Sequence, residues 1–183
     1  HNFPLLTLVG VIDADLGLQG SDLRAAERTF QLMRQVSGRA GRSDKPGEAL
    51  LQTYQPEHPV IRSILSGDET GFLQTEATQR RDAGVPPYGR LAGIILSGPD
   101  LSQLFDLGNA LARQDQPLRQ IDAQVFGPAP APIARVRGRH RVRLLVKAGK
   151  TTPLQPALTT WIGQFKLKAQ MRLAVDIDPQ SFY

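Results

Sequence analysis

The hydrophobic pattern of the first half of the chain predicts a strand, a helix and a second strand, followed by two shorter helices. Residues 5–12 form an unbroken apolar run, which is typical of a strand buried on both faces of a parallel sheet. Apolar residues recur at helical spacing over 23–36, and residues 48–54 have the pattern of another strand. Further helices are predicted at 59–65 and 69–83. Strand, crossover helix and strand in this order indicate the last βαβ unit of an α/β domain.

The second half of the chain has the alternation of an α+β domain. The predicted elements are strands at 90–97, 124–126, 139–147 and 171–177 and helices at 101–113 and 153–165. Their order, βαββαβ, is that of a ferredoxin-like sandwich, with both helices on one face of the sheet. The proline-rich segment 127–132 is predicted to be a stiff, extended connector.

A proline-containing segment at 84–89 (GVPPYG) divides the chain. Its two prolines disfavour helix and leave the backbone extended. We therefore predict domains at 1–66 and 90–183, joined by a helical and proline-containing connector at 67–89. Because the apolar run starts only a few residues after His1, we also expect the sequence to be a piece of a longer protein.

The composition is that of an ordinary globular protein, with 40% hydrophobic and 21% charged residues. The sequence contains no apolar run of membrane-spanning length and no basic-then-apolar leader, so we expect a cytoplasmic location and no membrane partner. It also contains no cysteine, which excludes disulfides, thiolate metal sites and cysteine nucleophiles within this sequence. We predict no metal site here.

Charge is distributed unevenly along the chain, although the net value is only +5. Between Asp122 and Asp176 there is no acidic residue, and this window holds ten of the 22 lysines and arginines. The rest of the chain has 12 basic residues against 17 acidic ones. Such an asymmetry indicates two functional regions, of which the basic one faces a polyanion, and nucleic acid is the first candidate.

Two arginines three residues apart, Arg39 and Arg42, follow Gln35 at the end of the predicted helix, and Gly38 and Gly41 precede them. Positions three apart are neighbours on a helical turn, and glycine lets the backbone approach a ligand. Two guanidinium groups so placed can stabilise the charge on a transferring γ-phosphoryl group, as an arginine finger does. The alternative is a solvated helix end whose arginines bind the last carbonyls.

A row of alternating arginines precedes and enters the predicted strand at 139–147. Its members are Arg135, Arg137, Arg139, Arg141 and Arg143. Since alternate strand residues share a face, the last three should lie opposite Val142 and Leu144, where they can follow nucleic-acid phosphates. The alternative is a charged edge strand that deters aggregation. His140 and Trp161 are expected to be core residues, although a tryptophan can also stack on a base.

A family resemblance extends over nearly the whole chain. It is carried by 1–4 (HNFP), 7–15 (TLVGVIDAD), 22–28 (DLRAAER), 35–42 (QVSGRAGR), 51–53 (LQT), 56–59 (PEHP), Arg80-Arg81, 86–88 (PPY), 127–132 (GPAPAP), 137–139 (RGR) and 176–179 (DIDP). These residues closely resemble helicase motifs V and VI and the following region of the PriA family of primosomal replication-restart helicases. The resemblance implies a superfamily 2, ATP-dependent 3′–5′ DNA helicase, with 1–66 ending its second RecA-like lobe and 90–183 binding DNA and partners.

The resemblance also implies roles for single residues. Gln35, Gly38, Arg39 and Arg42 take motif VI positions next to the nucleotide, and the two arginines reach its phosphates. Asp13 and Asp15 are either structural caps or partners of motif VI. The phosphate-binding loop, the DEAH-type box and the cysteine-rich zinc module of the family are absent from this sequence. ATP with magnesium and structural zinc are therefore expected in the full-length protein, and the chain alone should not hydrolyse ATP.

The partners that the resemblance implies are single-stranded and forked DNA, other primosome proteins and the acidic, phenylalanine-ended tail of single-stranded DNA-binding protein. For that tail, Lys150 offers a charge and Gln155 a hydrogen bond, although the family commonly has an arginine where this sequence has Lys150 or Thr151. Alternatively, Lys150 simply precedes a helix that begins with Pro153. A different class of function also stays open, that of a non-catalytic nucleic-acid or protein-docking module.

Overall fold

The computed structural model describes residues 7–18, 22–37 and 47–180. The chain divides into two compact units, His1–Ala77 and Thr78–Tyr183, each with its own hydrophobic core. The architecture is mixed α/β, with a parallel two-stranded sheet in the first unit and an antiparallel four-stranded sheet in the second.

The first unit contains a parallel pair of strands connected by a helix. The elements up to residue 82 are β1 (Leu8–Val11), a 3₁₀ turn (Ala14–Gly17), α1 (Ala25–Ser37), β2 (Glu48–Leu51), α2 (Pro59–Ser66) and α3 (Glu69–Asp82). The two strands pair in parallel from Leu8 opposite Glu48 to Val11 opposite Leu51. Parallel neighbours need a crossover connection, which α1 provides. The predicted strand–helix–strand order is therefore confirmed.

The prediction that the first strand is buried on both faces is wrong for the described residues. Val11 and Leu51 pack against the core of the first unit, whereas Leu8 is 53% and Leu50 is 60% exposed. Within 7–18, 22–37 and 47–77 this sheet has two strands, and helices packed on one side of so small a sheet leave its other side uncovered.

Stacked aromatic rings form part of the core of the first unit. Phe30 on α1 and Phe72 on α3 are buried, and their ring centroids lie 4.3 Å apart. His58 caps α2 by accepting a hydrogen bond at Nδ1 from Val60 N, and Gly67 ends the helix at φ 71°. A left-handed residue of this kind commonly terminates helices and favours glycine. Both predicted helices of this region are confirmed to within one residue at each end.

The second unit has one antiparallel sheet with the strand order β4-β5-β3-β6. Its elements are β3 (Gly89–Gly98), α4 (Leu101–Arg113), α5 (Gln116–Arg119), β4 (Gln124–Val136), β5 (Arg139–Gly149), α6 (Leu154–Gly163) and β6 (Arg172–Ile177). Every helix and strand predicted for this region is present. The short helix α5 was not predicted, because a single turn gives no periodic signal.

One face of this sheet forms the core of the second unit. Ile94 of β3 and Leu144 of β5 are fully buried with Leu111 of α4 and Trp161 of α6. The Trp161 Nε1 donates a hydrogen bond to the Leu111 carbonyl oxygen at 3.1 Å, so the indole N–H has a partner despite complete burial. The expectation that Trp161 is a core residue is confirmed, and it cannot stack on a base from outside.

The prediction of a three-residue strand followed by a proline-rich connector at 127–132 is wrong. β4 continues through the prolines to Val136, with register shifts between Phe126 and Ala129 and between Pro130 and Arg135. Proline has no N–H to donate, but β4 lies at an edge of the sheet, where one side of the strand needs no donors. The position of the strand in the sheet therefore makes the prolines acceptable.

None of the helices in the described segments has the length and apolarity that crossing a membrane requires.

Candidate nucleic-acid interface

The arginines of β5 lie on the sheet surface opposite the helices, here named the open face. Its described residues include Ile95, Phe126, Arg141, Arg143, Leu145 and Arg172. Val142 and Leu144 are fully buried on the helix side, whereas Arg141 and Arg143 between them are partly exposed. The alternation predicted from the sequence is confirmed. His140 is only partly buried, so its assignment to the core holds in part.

The alternative interpretation of the arginine row, a charged edge strand, is wrong for β5. This strand is interior, with β4 on one side and β3 on the other. Its backbone groups are therefore paired on both sides, and there is no free strand edge for Arg141 or Arg143 to protect. Their charge faces outward from the middle of a sheet, where a polyanion can lie across several strands.

Arg139 has a structural role that the sequence did not reveal. Its Nη2 donates hydrogen bonds to the Ser97 carbonyl oxygen at 3.0 Å and to the Gln170 carbonyl oxygen at 2.6 Å. It thereby ties the end of β3 to the segment that leads into β6. The Nε of Arg139 is buried, with no hydrogen-bond partner among the described residues. The hydrogen bonds of this guanidinium commit it to the fold.

Arg135 and Arg137 lie at the exposed end of the β4–β5 hairpin. The two turn residues, Arg137 at φ 48° and Gly138 at φ 77°, both have left-handed backbones. Two consecutive positive φ values are the signature of the tight two-residue turn whose twist matches antiparallel strands. Arg135 pairs with His140 just before this turn. The hairpin end therefore presents two exposed cations, of which Arg135 shares a side of the sheet with its partner His140 and not with Arg141.

Arg172 joins the basic surface, although its role was not predicted. Ser97 of β3 pairs with Arg141 of β5 on one side and with Arg172 of β6 on the other. Directly paired residues have their Cβ atoms about 5 Å apart, so a small serine separates the two arginines. Only the strand order brings them together, because they are 31 positions apart in the sequence.

The opposite end of the open face is covered. The Lys147 Nζ donates to the Ala83 carbonyl oxygen at 3.3 Å, and Val85 and Leu91 are buried nearby in the same unit. The segment after α3 therefore occupies the sheet surface next to Lys147. What stays accessible is the part that contains Phe126, Arg141 and Arg143.

Of the residues predicted to contact a nucleotide, only Gln35 lies in the described part of the chain. It is exposed in the last turn of α1. Gly38, Arg39 and Arg42 lie outside the described residues, and their predicted roles stay predictions. In the sequence, Gln35 is three positions before Gly38.

The two acidic residues after β1 have structural partners. Asp13, at φ 57°, accepts a hydrogen bond from Leu16 N and so caps the 3₁₀ turn. Asp15 is 2% exposed and accepts hydrogen bonds from Thr53 Oγ1 at 2.5 Å and from Tyr54 N at 2.7 Å. The Thr53 hydroxyl, followed by the Tyr54 N–H, lowers the pKa of Asp15.

Asp15 is consequently ionised at neutral pH and connects the end of β1 to the chain beyond β2. β2 ends at Leu51, whereas the predicted strand extends to residue 54. The Tyr54 N–H donates to the carboxylate and is not available to a strand ladder. For both aspartates the structural alternative is the one that the described residues favour.

Lys150 and Gln155 flank the turn between β5 and α6, and both are exposed. The predicted helix start at Pro153 is wrong by one residue, because α6 begins at Leu154 and has no side-chain cap. Gln155 lines a groove of about 480 Å³ between α6 and β6. The apolar residues that line it are Leu158, Ile162, Leu173, Val175 and Ile177. This groove was not predicted, because it depends on how α6 packs beside an edge strand.

Comparisons with known proteins point to one family along the whole chain. The family model of the primosomal protein N C-terminal domain matches residues 81–180. A replication restart protein PriA from Rickettsia felis is 42% identical over 183 residues, which are all of this chain and 28% of the relative. The PriA of Bacillus subtilis is 35% identical, covering 97% of the chain and 22% of the relative. That of Haemophilus influenzae is 35% identical, covering 98% and 25%.

The chain thus spans about a quarter of the length of the curated relatives that it matches, in their C-terminal region. Sequence identity at this level over the full chain, together with a family model that matches more than half of it, is enough to assign the family. The chain belongs to the PriA family of replication restart proteins.

Proposed function

We propose that the chain is the C-terminal part of an ATP-dependent 3′–5′ DNA helicase that restarts stalled replication forks in the cytoplasm by recognising branched DNA and loading the primosome. Residues 1–66 are then the end of the second RecA-like lobe, 67–89 a connector and 90–183 the DNA- and partner-binding domain. The full-chain similarity to replication restart proteins supports this assignment. The parallel β1–α1–β2 unit is the arrangement from which such lobes are built.

Residues 90–183 are proposed to have the ferredoxin-like fold. Numbered within the second unit, the four strands lie in the order 2-3-1-4, and every pair is antiparallel. The first two strands are connected through α4, and the last two through α6. This is the connectivity of the split βαβ sandwich, which leaves one sheet face free of helices. A free face is where such a domain can bind an extended ligand.

Motif VI is proposed to act in this chain through Gln35, Gly38, Arg39 and Arg42. The arginines would reach the phosphates of ATP held with magnesium by the other lobe, and the full-length protein would also carry the structural zinc of the family. Nothing in the described residues supplies a phosphate-binding loop, so the chain alone is proposed to be inactive. Its catalytic contribution is positive charge placed where negative charge develops in the transition state.

The proposal that the second unit binds DNA is supported mainly by the position of three arginines. Arg141 and Arg143 project from an interior strand onto a face without helices, and Arg172 lies across Ser97 from the first of them. No acidic residue occurs in the sequence between Asp122 and Asp176, and Asp176 lies on this face two residue pairs away from Arg172. A row of guanidinium groups on a firm sheet can follow phosphates without regard to base sequence.

We expect the double substitution Arg141→Ser and Arg143→Ser in the full-length protein to weaken binding of single-stranded and forked DNA. The slope of log affinity against log salt should shrink by about one to two, since each lost phosphate contact releases about one counterion fewer. Fluorescence anisotropy across a salt series measures both quantities.

The matched control is Arg113→Ser, an exposed arginine at the end of α4. It should leave the salt slope unchanged. An unchanged slope in the double variant would assign Arg141 and Arg143 to solubility. Arg139 is left intact because loss of its two short hydrogen bonds, to the Ser97 and Gln170 carbonyl oxygens, would confuse a binding loss with a folding loss. Arg141 donates one longer hydrogen bond, of 3.4 Å, to the Ile133 carbonyl oxygen.

The groove next to Gln155 is proposed to receive the tail of single-stranded DNA-binding protein. Its apolar lining suits a terminal phenylalanine, Gln155 can donate a hydrogen bond, and Lys150 provides positive charge for a carboxylate. A lysine binds a carboxylate as a point charge, without the bidentate geometry of an arginine. Other primosome proteins are proposed to dock on the rest of the full-length protein.

For the full-length protein, we expect Lys150→Glu to weaken binding of a labelled tail peptide about five- to tenfold through charge reversal. Titration followed by anisotropy gives the dissociation constants. Lys166→Glu is the control, because it makes the same charge change at another exposed lysine of the second unit. Equal dissociation constants for wild type and Lys150→Glu would place the docking site elsewhere.

A further inference from the structure

Phe126 is an aromatic side chain on the open face of the sheet. It pairs directly with Leu145 of β5, whose strand neighbours Leu144 and Val146 are buried on the helix side. Paired residues of antiparallel strands project to the same face, so the ring lies opposite the core. Phe126 is 47% exposed and is absent from the core cluster of the second unit, whereas Phe105 packs against that cluster.

The surface beside this ring is shallow and apolar. Leu145 lies next to Gly93 of β3, which in turn pairs with Asp176 of β6. Gly93 has no side chain, and a Cβ built there would meet nothing within 4 Å. A recess therefore opens between Leu145 and Asp176, level with Phe126. A flat group placed over the phenyl ring can extend across Leu145 into this recess.

Positive charge adjoins the recess on one side. Arg143 is two positions from Leu145 on β5, about 6.7 Å along the strand, and Arg141 follows at the same spacing. Lys147, on the other side of Leu145, is bonded to the Ala83 carbonyl oxygen. Asp176 lies at the far end of the recess and disfavours phosphate there. The charges therefore favour the phosphates of a ligand on the Arg143 side of the recess. They favour an uncharged ring of that ligand over Phe126.

We infer that the open face binds single-stranded nucleic acid, with one unpaired base stacked on Phe126 and its backbone running past Arg143 and Arg141. This inference deepens the DNA-binding function proposed above and rests on it. A base within a duplex is already stacked on both faces, so a protein ring selects unpaired bases. The charge of the neighbouring arginines favours this occupant over an apolar peptide or another part of the protein.

The test compares Phe126→Leu with Phe126→Trp in the full-length protein, using oligo(dT) as the probe. Leucine keeps the apolar contact with Leu145 but removes the aromatic face, whereas tryptophan restores a larger one. We expect Phe126→Leu to bind about tenfold more weakly, since stacking contributes that much or more per base. The salt slope should not change, because no phosphate contact is lost. Phe126→Trp should recover wild-type affinity.

A cross-linking measurement locates the contact, because the full-length protein holds other DNA-binding surfaces. Oligo(dT) with one 5-iodo-2′-deoxyuridine is irradiated with the wild-type protein and digested with trypsin. Cleavage after Arg119 and Arg135 releases Phe126 in the peptide 120–135, which contains no other aromatic residue. The cross-link should map to this peptide and should be lost in Phe126→Leu. Leu101→Ala, an exposed apolar residue on α4, is the control that keeps it.

The outcomes separate this inference from the function on which it rests. If Phe126→Leu binds as wild type and the cross-link lies elsewhere, while Arg141→Ser with Arg143→Ser still lowers the salt slope, base stacking is overturned and DNA binding by the arginines stands. Equal weakening by Phe126→Leu and Phe126→Trp also overturns it, since the ring would then have only a packing role. If Arg141→Ser with Arg143→Ser leaves the salt slope unchanged and no cross-link maps to peptide 120–135, both base stacking and DNA binding by the arginines are overturned.

Discussion

Replacing Arg42 or Arg39 by alanine in the full-length protein is expected to lower DNA-stimulated ATP turnover by about 10³-fold or more, while DNA binding changes little. Both arginines lie outside the described residues, and the expectation rests on their motif VI positions. A guanidinium that meets the γ-phosphoryl group acts mainly on charge that develops in the transition state. Its loss therefore appears in turnover. A steady-state ATPase assay with saturating forked DNA measures the effect.

Arg62→Ala provides the control for this experiment. Arg62 lies on α2, 67% exposed, and forms an ion pair with the exposed Glu57. Exposed pairs of this kind contribute little to stability, so the variant should turn over ATP as wild type does. Turnover within about threefold of wild type in Arg39→Ala and Arg42→Ala corresponds to roughly 0.65 kcal/mol, which is too little for a finger contact. That result would leave both arginines with the helix-end role.

Trp161→Ala is expected to destabilise the second unit by about 3–5 kcal/mol. The side chain is fully buried among Leu111, Leu154 and Leu158. Its removal leaves a large cavity and deprives the Leu111 carbonyl oxygen of the hydrogen bond from the indole N–H. Against a typical domain stability of about 5–15 kcal/mol, this loss brings the unit close to unfolding. Urea unfolding of the 183-residue chain, followed by far-ultraviolet circular dichroism, measures the change in the free energy of unfolding.

Two further variants identify the cause. Trp161→Phe keeps most of the apolar volume but loses the indole N–H, and it should cost about 1–3 kcal/mol. Leu167→Ala, at a position 41% exposed, should change stability by less than about 0.5 kcal/mol. A loss below about 1 kcal/mol for Trp161→Ala would contradict the buried position of the indole. A base-stacking role would predict the opposite result, weaker DNA binding with unchanged stability.

Much of the secondary structure follows from local patterns in the sequence. Helical spacing of apolar residues predicts α1, α2, α4 and α6, since an amphipathic helix buries one stripe whatever its partner is. The order of strands and helices in the second half likewise predicts a four-stranded sheet. Local reasoning failed at β4, because proline is excluded from the middle of a sheet but not from its edge. Whether a strand is at an edge is a property of the whole sheet.

The candidate nucleic-acid interface likewise has some features that follow from local sequence and others that depend on the whole sheet. The sequence by itself determined that basic residues are concentrated after Asp122, that the arginines of β5 share a face, and which family the motifs resemble. Only the tertiary structure decided that Arg139 is bound to backbone carbonyls, that Arg172 lies across Ser97 from Arg141, and that Phe126 is beside Gly93 and Leu145. Alternation along a strand is a local consequence of the pleat, and charge can be counted. Neighbours across a sheet depend on strand order and register, which the packing of the whole unit determines.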